Sequence, residues 1–249
     1  MYEQLSRVIR RYKPLLAIAR SALFLRWQYR KVASILFRRL AVRRYLNSHQ
    51  IRKLQIGAGP NFLEGWLNSD AYPSSCDVIY LNAAKPFPFK DGTFNYVFSE
   101  HLIEHLVYDK GLFMLRESYR VLKPGGRIRV ATPDLERLMG LYGPEKNDLQ
   151  QRYKKWIVDL CFPEKNMYTE CFAANTLFRI FQVFHHKFVY DHGTLRGAME
   201  EAGFIDIIDY KPGESDDEVL RGIESHGKGI GLEHINEYET MVVEAKRPS

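Results

Sequence analysis

Short apolar segments alternate with helical segments from Lys53 onward, and this alternation limits the available folds more than any other feature. Residues 102–121 and 194–201 have the apolar spacing of helices, and residues 149–184 read as a further helical, aromatic-rich stretch. Strands that alternate with helices predict an α/β domain built on a doubly wound sheet. The predicted strands are 53–56, 77–81, 95–98, 127–131, 205–210 and 240–245.

The N-terminal segment differs from the rest of the chain in charge. Residues 1–52 contain thirteen Lys and Arg residues and a single acid, Glu3, although the whole chain has a net charge of only +6. Residues 15–46 space their apolar side chains at helical period among the arginines, which predicts a basic amphipathic helix. We therefore expect a basic helical arm at 1–50 and a domain at 51–249, with a helical insertion at about 140–190.

Two interpretations of the arm are open. A basic amphipathic helix can make peripheral contact with an anionic membrane, here through residues 1–46. The same pattern fits a helix that packs its apolar stripe on the domain and leaves its arginines in solvent. No run of 18 apolar residues is present, so we expect a cytoplasmic protein, with any membrane contact peripheral and at the inner face.

Composition excludes other classes. The three cysteines lie far apart, which argues against disulfides and against a cysteine zinc site. The domain lacks basic patches interleaved with aromatic residues, so nucleic acid is not an expected partner.

The segment KLQIGAGPNFLEGWLNSD contains a strand, a Gly-x-Gly loop and an acid. Gly57 and Gly59 would let the backbone turn tightly and approach an anionic ligand group closely. Asp70 could accept hydrogen bonds from a ribose diol if it ends a second strand. The third glycine of a GxGxxG motif is replaced by Phe62, so this segment alone fits an ordinary strand-exit turn equally well.

Three further segments follow this loop in order, namely NAAKPFPFKDGTFNYVFSEHLIEHL, LRESYRVLKPGGRIRVATPDLERL and HKFVYDHGTLRGAMEEAGF. With the loop they resemble class I S-adenosylmethionine-dependent methyltransferases, most closely the type-11 group associated with surface-polysaccharide genes. The resemblance covers residues 53–247 and implies a Rossmann-like, seven-stranded sheet of order 3-2-1-4-5-7-6. The links at 60–65 and 71–76 are too short for crossover helices, so we expect an abbreviated first half of the sheet.

The resemblance also implies the cofactor, S-adenosylmethionine, and the residues that bind it. Asp70 would contact the ribose, and Asn82, which replaces an aspartate common in relatives, would contact the adenine without its charge. The cofactor-binding residues implied in this way are Gly57, Gly59, Asp70, Asn82, Ser99 and Glu100.

Histidines and a glutamate form the predicted catalytic set. The spacing of His101, Glu104 and His105 would place them on one helix face, and His186 follows far downstream. EHLIEH followed by HKF resembles the metal site of small-RNA 3′-end 2′-O-methyltransferases, with His101 in place of that family's first Glu. Two interpretations remain open: a divalent metal that activates a sugar hydroxyl, and a structural Glu–His pair without metal. In either case histidine suits the deprotonation of a hydroxyl.

Two other groups could belong to the site. Arg221, Glu224 and His226 either fold over its mouth or form a structural loop. Four aromatic residues either belong to the core or form the wall of an acceptor pocket: Phe172, Phe178, Phe181 and Phe184.

The sequence therefore predicts an S-adenosylmethionine-dependent methyltransferase that acts on an oxygen of a small-molecule, sugar or glycan-related acceptor. One alternative is a catalytically silent methyltransferase-like scaffold, docked by its arm at a membrane-associated glycan assembly. Another is an RNA ribose 2′-O-methyltransferase, which would bind RNA in a salt-dependent way. A Rossmann-type oxidoreductase or epimerase is disfavoured by the missing third glycine and by the lack of a Tyr-x-x-x-Lys pair.

Overall fold

The structure is a computed structural model that describes residues 25, 27–143, 147–162, 169, 175–176, 184–226 and 237–249. Its strands are β1 (Lys53–Ile56), β2 (Leu67–Asp70), β3 (Ile79–Tyr80), β4 (Phe94–Glu100), β5 (Leu122–Pro133), β6 (Ile205–Tyr210) and β7 (Thr240–Lys246). Its helices are α1 (27–48), α2 (Tyr108–Val121), α3 (Leu135–Gly140), α4 (Asp148–Cys161) and α5 (His192–Glu201), with a 3-10 turn at Ile103–His105. Residues 1–24 and the predicted pocket aromatics Phe172, Phe178 and Phe181 lie outside the described residues.

The seven strands form one sheet in the order β3-β2-β1-β4-β5-β7-β6, which confirms the predicted topology. Neighbours from β3 to β5 are parallel, and β7 runs antiparallel to both β5 and β6. The links at 57–66 and 71–78 contain no helix, and β3 has only two residues. The first half of the sheet is therefore abbreviated, as expected.

Strand β5 begins five residues earlier than the predicted segment 127–131, at Leu122. The reason for this earlier start lies in Gly126. A Cβ at Gly126 would lie 3.0 Å from the backbone oxygen of Asn95 and 2.9 Å from that of Lys123. Only glycine leaves room for this close approach to β4, so the segment continues the sheet.

The chain between β4 and α2 is not one helix, contrary to the helix-face prediction. His101 has φ 46, and its amide donates to the carbonyl of Ala131 at 2.9 Å, which directs the chain away from a helical path. The 3-10 turn then contains Glu104 and His105, and α2 begins only at Tyr108. The placement of His101 on one helix face with Glu104 and His105 is therefore wrong.

Helix α1 packs against the β3 edge of the sheet. The Ser34 hydroxyl accepts from the amide of Tyr80 at 2.6 Å, and Arg38 donates to the Tyr80 carbonyl at 3.2 Å. Near the other end of the helix, the Tyr45 hydroxyl donates to the carbonyl of Lys53 at 2.9 Å. These bonds satisfy backbone groups that an uncovered edge would leave unpaired.

Three findings bear on the expected compartment and redox state. Within the described ranges, every helix is too short or too polar to cross a bilayer. Neither Cys76 nor Cys161 forms a disulfide. The third cysteine, Cys171, is outside the described residues.

Candidate active site

A cavity of about 510 Å³ opens at the carboxyl ends of β1, β4 and β5, the edge where open α/β sheets bind ligands. Its wall brings together most of the predicted site residues. Those in the wall are Gly57, Gly59, Glu100, His101, Glu104, His105 and His186. Asp70, Asn82 and Ser99 are not in the wall.

The loop after β1 has a backbone that glycine allows. Gly57 has φ +74, and its amide donates to the carbonyl of Ser69 at 2.8 Å. A Cβ at Gly57 would lie 3.0 Å from the side chain of Leu102, whereas a Cβ at Gly59 would meet no atom within 4 Å. The loop therefore passes close to the chain that follows β4 and leaves open space beside Gly59.

Asp70 holds this loop in place from the end of β2. Its carboxylate accepts from the amide of Gly59 at 2.8 Å and from the amide of Tyr72 at 2.6 Å. An ionised carboxylate has about four acceptor positions, so each oxygen keeps capacity for a ribose hydroxyl. These contacts are compatible with the predicted ribose role of Asp70.

The other predicted cofactor residues have different surroundings. Asn82 Oδ1 accepts from the amide of Ala84 at 2.9 Å. Ser99 is buried in β4, and its hydroxyl has no hydrogen-bond partner among the described residues. Their roles toward the cofactor stay predictions.

Glu100 anchors a segment over the cavity. Its carboxylate accepts from the amides of Ser225 at 3.1 Å and His226 at 3.0 Å. Burial raises the pKa of Glu100, while these backbone hydrogen bonds favour its charged form. Glu100 therefore fixes the position of His226, whose side chain lines the cavity.

Glu224 and Arg221 do not face the cavity. Glu224 pairs with the fully buried Arg129 of β5 and accepts from the amide of Gly213 at 2.9 Å. Arg221 donates to the carbonyl of Ser215 at 2.9 Å. Of the three residues considered for the mouth, His226 alone reaches the cavity wall, and the other two stabilise its loop.

His101 and His226 form one histidine pair. Their rings stack with centroids 3.8 Å apart and an interplanar angle of 13°. His101 Nε2 lies 2.9 Å from Thr240 Oγ1, and His101 Nδ1 lies 3.4 Å from Glu104 Oε1. Burial favours the neutral ring, but Glu104 outweighs it and raises the pKa of His101 to about 9. Burial likewise opposes the charge on Glu104, yet His101 lowers its pKa, so both are charged at neutral pH.

His226 stays neutral beside this ion pair. Burial, together with the charge of His101, lowers the pKa of His226 to about 4. Its Nε2 lies 3.9 Å from Glu239 Oε1, and Glu239 Oε2 accepts from the Tyr153 hydroxyl at 2.6 Å. Burial raises the pKa of Glu239. Sequence analysis missed Glu239 and Tyr153, which belong to no motif and meet only in the folded chain.

His105 and His186 form a second pair, with ring centroids 4.9 Å apart at 82°. His105 Nε2 lies 3.9 Å from Glu104 Oε1. His186 Nδ1 is buried and has no hydrogen-bond partner among the described residues. Burial lowers the pKa of His186 to about 4, so its ring is neutral at pH 7.

In the part of the chain that the structure describes, two sets of three residues have donor atoms within 4.8 Å of one another: Glu104, His105 and His186, and His101, His226 and Glu239. In the second set the stacked rings have nearly parallel planes, and nitrogen lone pairs lie in those planes. Such lone pairs cannot converge on one ion. The first set has edge-to-face rings, so it is the set that fits a metal, although its Glu104 Oε1 is also ion-paired with His101.

The type-11 methyltransferase family model, described as a methyltransferase domain, matches residues 49–130. That segment contains the Gly57 loop, β1 to β4 and much of β5. The matched domain and the sheet order indicate an S-adenosylmethionine-dependent methyltransferase. Neither finding concerns the acceptor.

Solved methyltransferase structures are similar to the chain at low identity. A SAM-dependent methyltransferase from Archaeoglobus fulgidus has 18% identity and a TM-score of 0.47, covering 87% of this chain and 94% of that one. A Thermotoga maritima protein described as a possible histamine N-methyltransferase has 17% identity and a TM-score of 0.44, covering 97% and 99%. A comparison with curated proteins finds no match.

Proposed function

We propose that the chain transfers a methyl group from S-adenosylmethionine to a hydroxyl oxygen of a sugar or glycan-related acceptor. One observation carries this proposal. The neutral ring of His186, whose buried Nδ1 has no hydrogen-bond partner within the described ranges, lies in the wall of the cavity that the Gly57 loop also lines.

Donor binding is assigned to the loop and the acid that holds it. When bound, S-adenosylmethionine supplies a methyl group activated by a positively charged sulfur. The chain must align donor and acceptor, because orientation supplies much of the rate in such a transfer. The cavity of about 510 Å³ has the size of a small-molecule site. Asp70 fixes Gly59 and retains acceptor capacity for hydroxyls.

His186 is the residue we assign as general base. A hydroxyl must lose its proton as its oxygen forms the bond to the methyl group, and a neutral imidazole nitrogen can accept that proton. The charge of Glu104 favours the protonated form of His186, although burial outweighs it in the resting site. Glu104 would therefore stabilise the imidazolium that forms during transfer.

The cavity wall supports an acceptor with both hydroxyl groups and an apolar face. Leu138, Trp156, Leu160 and Phe184 contribute apolar surface to the wall that the histidines also line. Sites of this type bind a ring by its faces and orient it with a few polar groups. Sugars have this combination, since their C–H faces are apolar and their edges carry hydroxyls.

A metal-assisted variant of the same reaction is the second candidate. His186 Nδ1 lacks a hydrogen-bond partner among the described residues, and with His105 and the ion-paired Glu104 it makes a set of two nitrogens and one oxygen. Such a set suits a divalent transition metal. The ion would lower the pKa of the acceptor hydroxyl, and His186 would then serve as a ligand.

Calorimetric titration of the full chain with S-adenosylmethionine, with NAD as the negative control, tests the donor. We expect micromolar binding of S-adenosylmethionine alone. Asp70→Ala should weaken it at least tenfold, on the order of one lost charge-assisted contact, while the exposed Asp77→Ala should not. No binding by a folded chain would contradict the proposal and favour the silent scaffold.

Transfer of a radiolabelled methyl group tests the acceptor. The chain is incubated with labelled donor and a panel of monosaccharides, oligosaccharides and a short RNA. Label in a sugar that is lost with His186→Gln would support the proposal. Label in RNA alone would contradict the sugar acceptor and favour the RNA ribose alternative.

A further inference from the structure

Helix α1 has an apolar face that points away from the domain. Tyr29 is 75% exposed, Leu36 72% and Leu40 66%. A helix on a protein surface usually presents polar side chains to water. Spacings of three and four residues place the members of this outward face on one side of the helix. The outward face consists of Leu25, Tyr29, Val32, Leu36 and Leu40.

The opposite side of α1 already packs on the sheet. Ser34, Arg38 and Tyr45 make the bonds to the β3 edge and to Lys53. Trp27, on the same side, contacts the ring of Tyr72 at 5.1 Å between centroids. The outward face is therefore additional to the face that stabilises the fold.

Cationic side chains flank the outward face. Arg39, Arg43 and Arg44 are exposed, and no acid occurs between Glu3 and Glu64. Arg43 and Arg44 also line an open groove of about 860 Å³ in which Leu40 provides apolar surface. The surface thus combines exposed apolar side chains with an excess of positive charge, since the groove is lined by two arginines and by Asp77.

We propose that the outward face of α1 binds the surface of an anionic lipid bilayer. The apolar side chains would enter the interface, and the three arginines would contact headgroup phosphates. Charge complementarity selects this occupant. A second copy would bring the same arginines against one another, and residues 1–24 carry five Lys and Arg against one acid.

This binding mode would bring the active-site edge close to the membrane. Arg30 donates to the carbonyl of Ser74, and Trp27 contacts Tyr72. Ser74 and Tyr72 both follow β2, on the side of the sheet formed by the carboxyl ends of the parallel strands, where the cavity opens. The N-terminal end of the bound helix would therefore lie beside the cavity.

Vesicle flotation of the full chain tests the proposal. Vesicles of phosphatidylcholine alone are compared with vesicles that also contain phosphatidylglycerol, at low and high salt. We expect binding to the mixed vesicles that weakens with salt. Leu36→Gln with Leu40→Gln should reduce the partition coefficient about tenfold or more, because two apolar side chains lose their burial.

The matched control is the pair Ile205→Thr with Ile208→Thr, two exposed residues on β6 at the other end of the sheet. It should leave binding unchanged. Equal binding by the Leu36/Leu40 variant and the unchanged chain would overturn the proposal, as would absence of binding to mixed vesicles. A dimer that the leucine variant dissociates would show that a second copy covers the face. Donor titration of the variant reports separately on the methyltransferase site and on folding.

Discussion

The two histidine pairs of the cavity differ in how their hydrogen-bonding groups are used. Both ring nitrogens of His101 have a partner, since Nε2 contacts Thr240 and Nδ1 contacts Glu104. The ring also stacks on that of His226. His186 has a buried Nδ1 without a partner among the described residues, and it meets His105 edge to face. The first pair is therefore held by the partners of His101, whereas the second keeps the buried nitrogen that the proposed general base would use.

Glu104 lies between the pairs and has a different relation to each. It forms a charged pair with His101 and raises that ring's pKa to about 9, whereas His186 stays neutral with a pKa of about 4. Burial acts on both rings; the direct contact with Glu104 outweighs it at His101, whereas at His186 it is reinforced by the charges of His105 and His101. The comparison indicates that a histidine in a cavity is a candidate base only when it is neutral and has an unused nitrogen.

The largest expected effect is on kcat, when one neutral histidine of each pair is replaced by glutamine. His186→Gln should reduce kcat by about 10²–10⁴, the usual contribution of a general base, without changing donor affinity. His226→Gln, which also replaces a neutral ring, should reduce kcat far less. Methyl-transfer rates at saturating donor measure both. Equal losses would show that the pairs do not differ in the proposed way.

Removal of the charged ring of the first pair should change the pH dependence of stability. The pKa of His101 is about 9 in the folded chain and about 6.5 when unfolded, so protonation stabilises the fold. This contribution of about 3 kcal/mol is complete below pH 6.5 and is lost as pH rises through 9. Denaturant unfolding at several pH values should show this loss in the unchanged chain and not in His101→Gln.

A stability curve that falls equally in both proteins between these pH values would contradict the buried ion pair. His226→Gln is the control, because it removes the stacked ring and leaves the Glu104 contact in place.

The sequence predicts more of the fold than of the cavity. The strand order was implied by the family resemblance, and the short links predicted the abbreviated half in which β3 has two residues. The left-handed backbone at His101 was not predicted, because the spacing of His101 from Glu104 equals that of neighbours on a helix. The contact of Tyr153 with Glu239 joins residues 86 positions apart and has no local signature.

Helix α1 shows a similar limit. Its arginine-rich amphipathic pattern was visible, and two interpretations of it were open. The pattern did not show that Arg38 bonds the carbonyl of Tyr80 or that Leu36 points outward. Both side-chain orientations depend on the backbone carbonyls of the β3 edge. The sequence of the helix contains no information about these carbonyls.

The pH profile of activity provides a smaller but more specific measure of the second pair. Since the pKa of His186 is about 4, kcat/KM should stay constant as pH falls through 6.5 and decline only near pH 4. The charge of His101 contributes to this low pKa. In His101→Gln the acid limb should therefore move toward higher pH. An acid limb at the ordinary histidine value in the unchanged chain would argue against His186 as the base.

The smallest expected effect distinguishes a general-base role of His186 from a role as a metal ligand. If His186 Nδ1 is free to accept a proton, a chelator should change the methyl-transfer rate by about twofold at most, and His105→Gln should act mainly on packing. If Glu104, His105 and His186 hold an ion, chelation should abolish transfer and a divalent metal should restore it. His105→Gln would then raise the metal concentration needed for activity about 10–100-fold or more, because it removes a ligand. Metal titration of the chelated His105→Gln and His226→Gln proteins decides between the two, because only the first lacks a residue of the set that fits an ion.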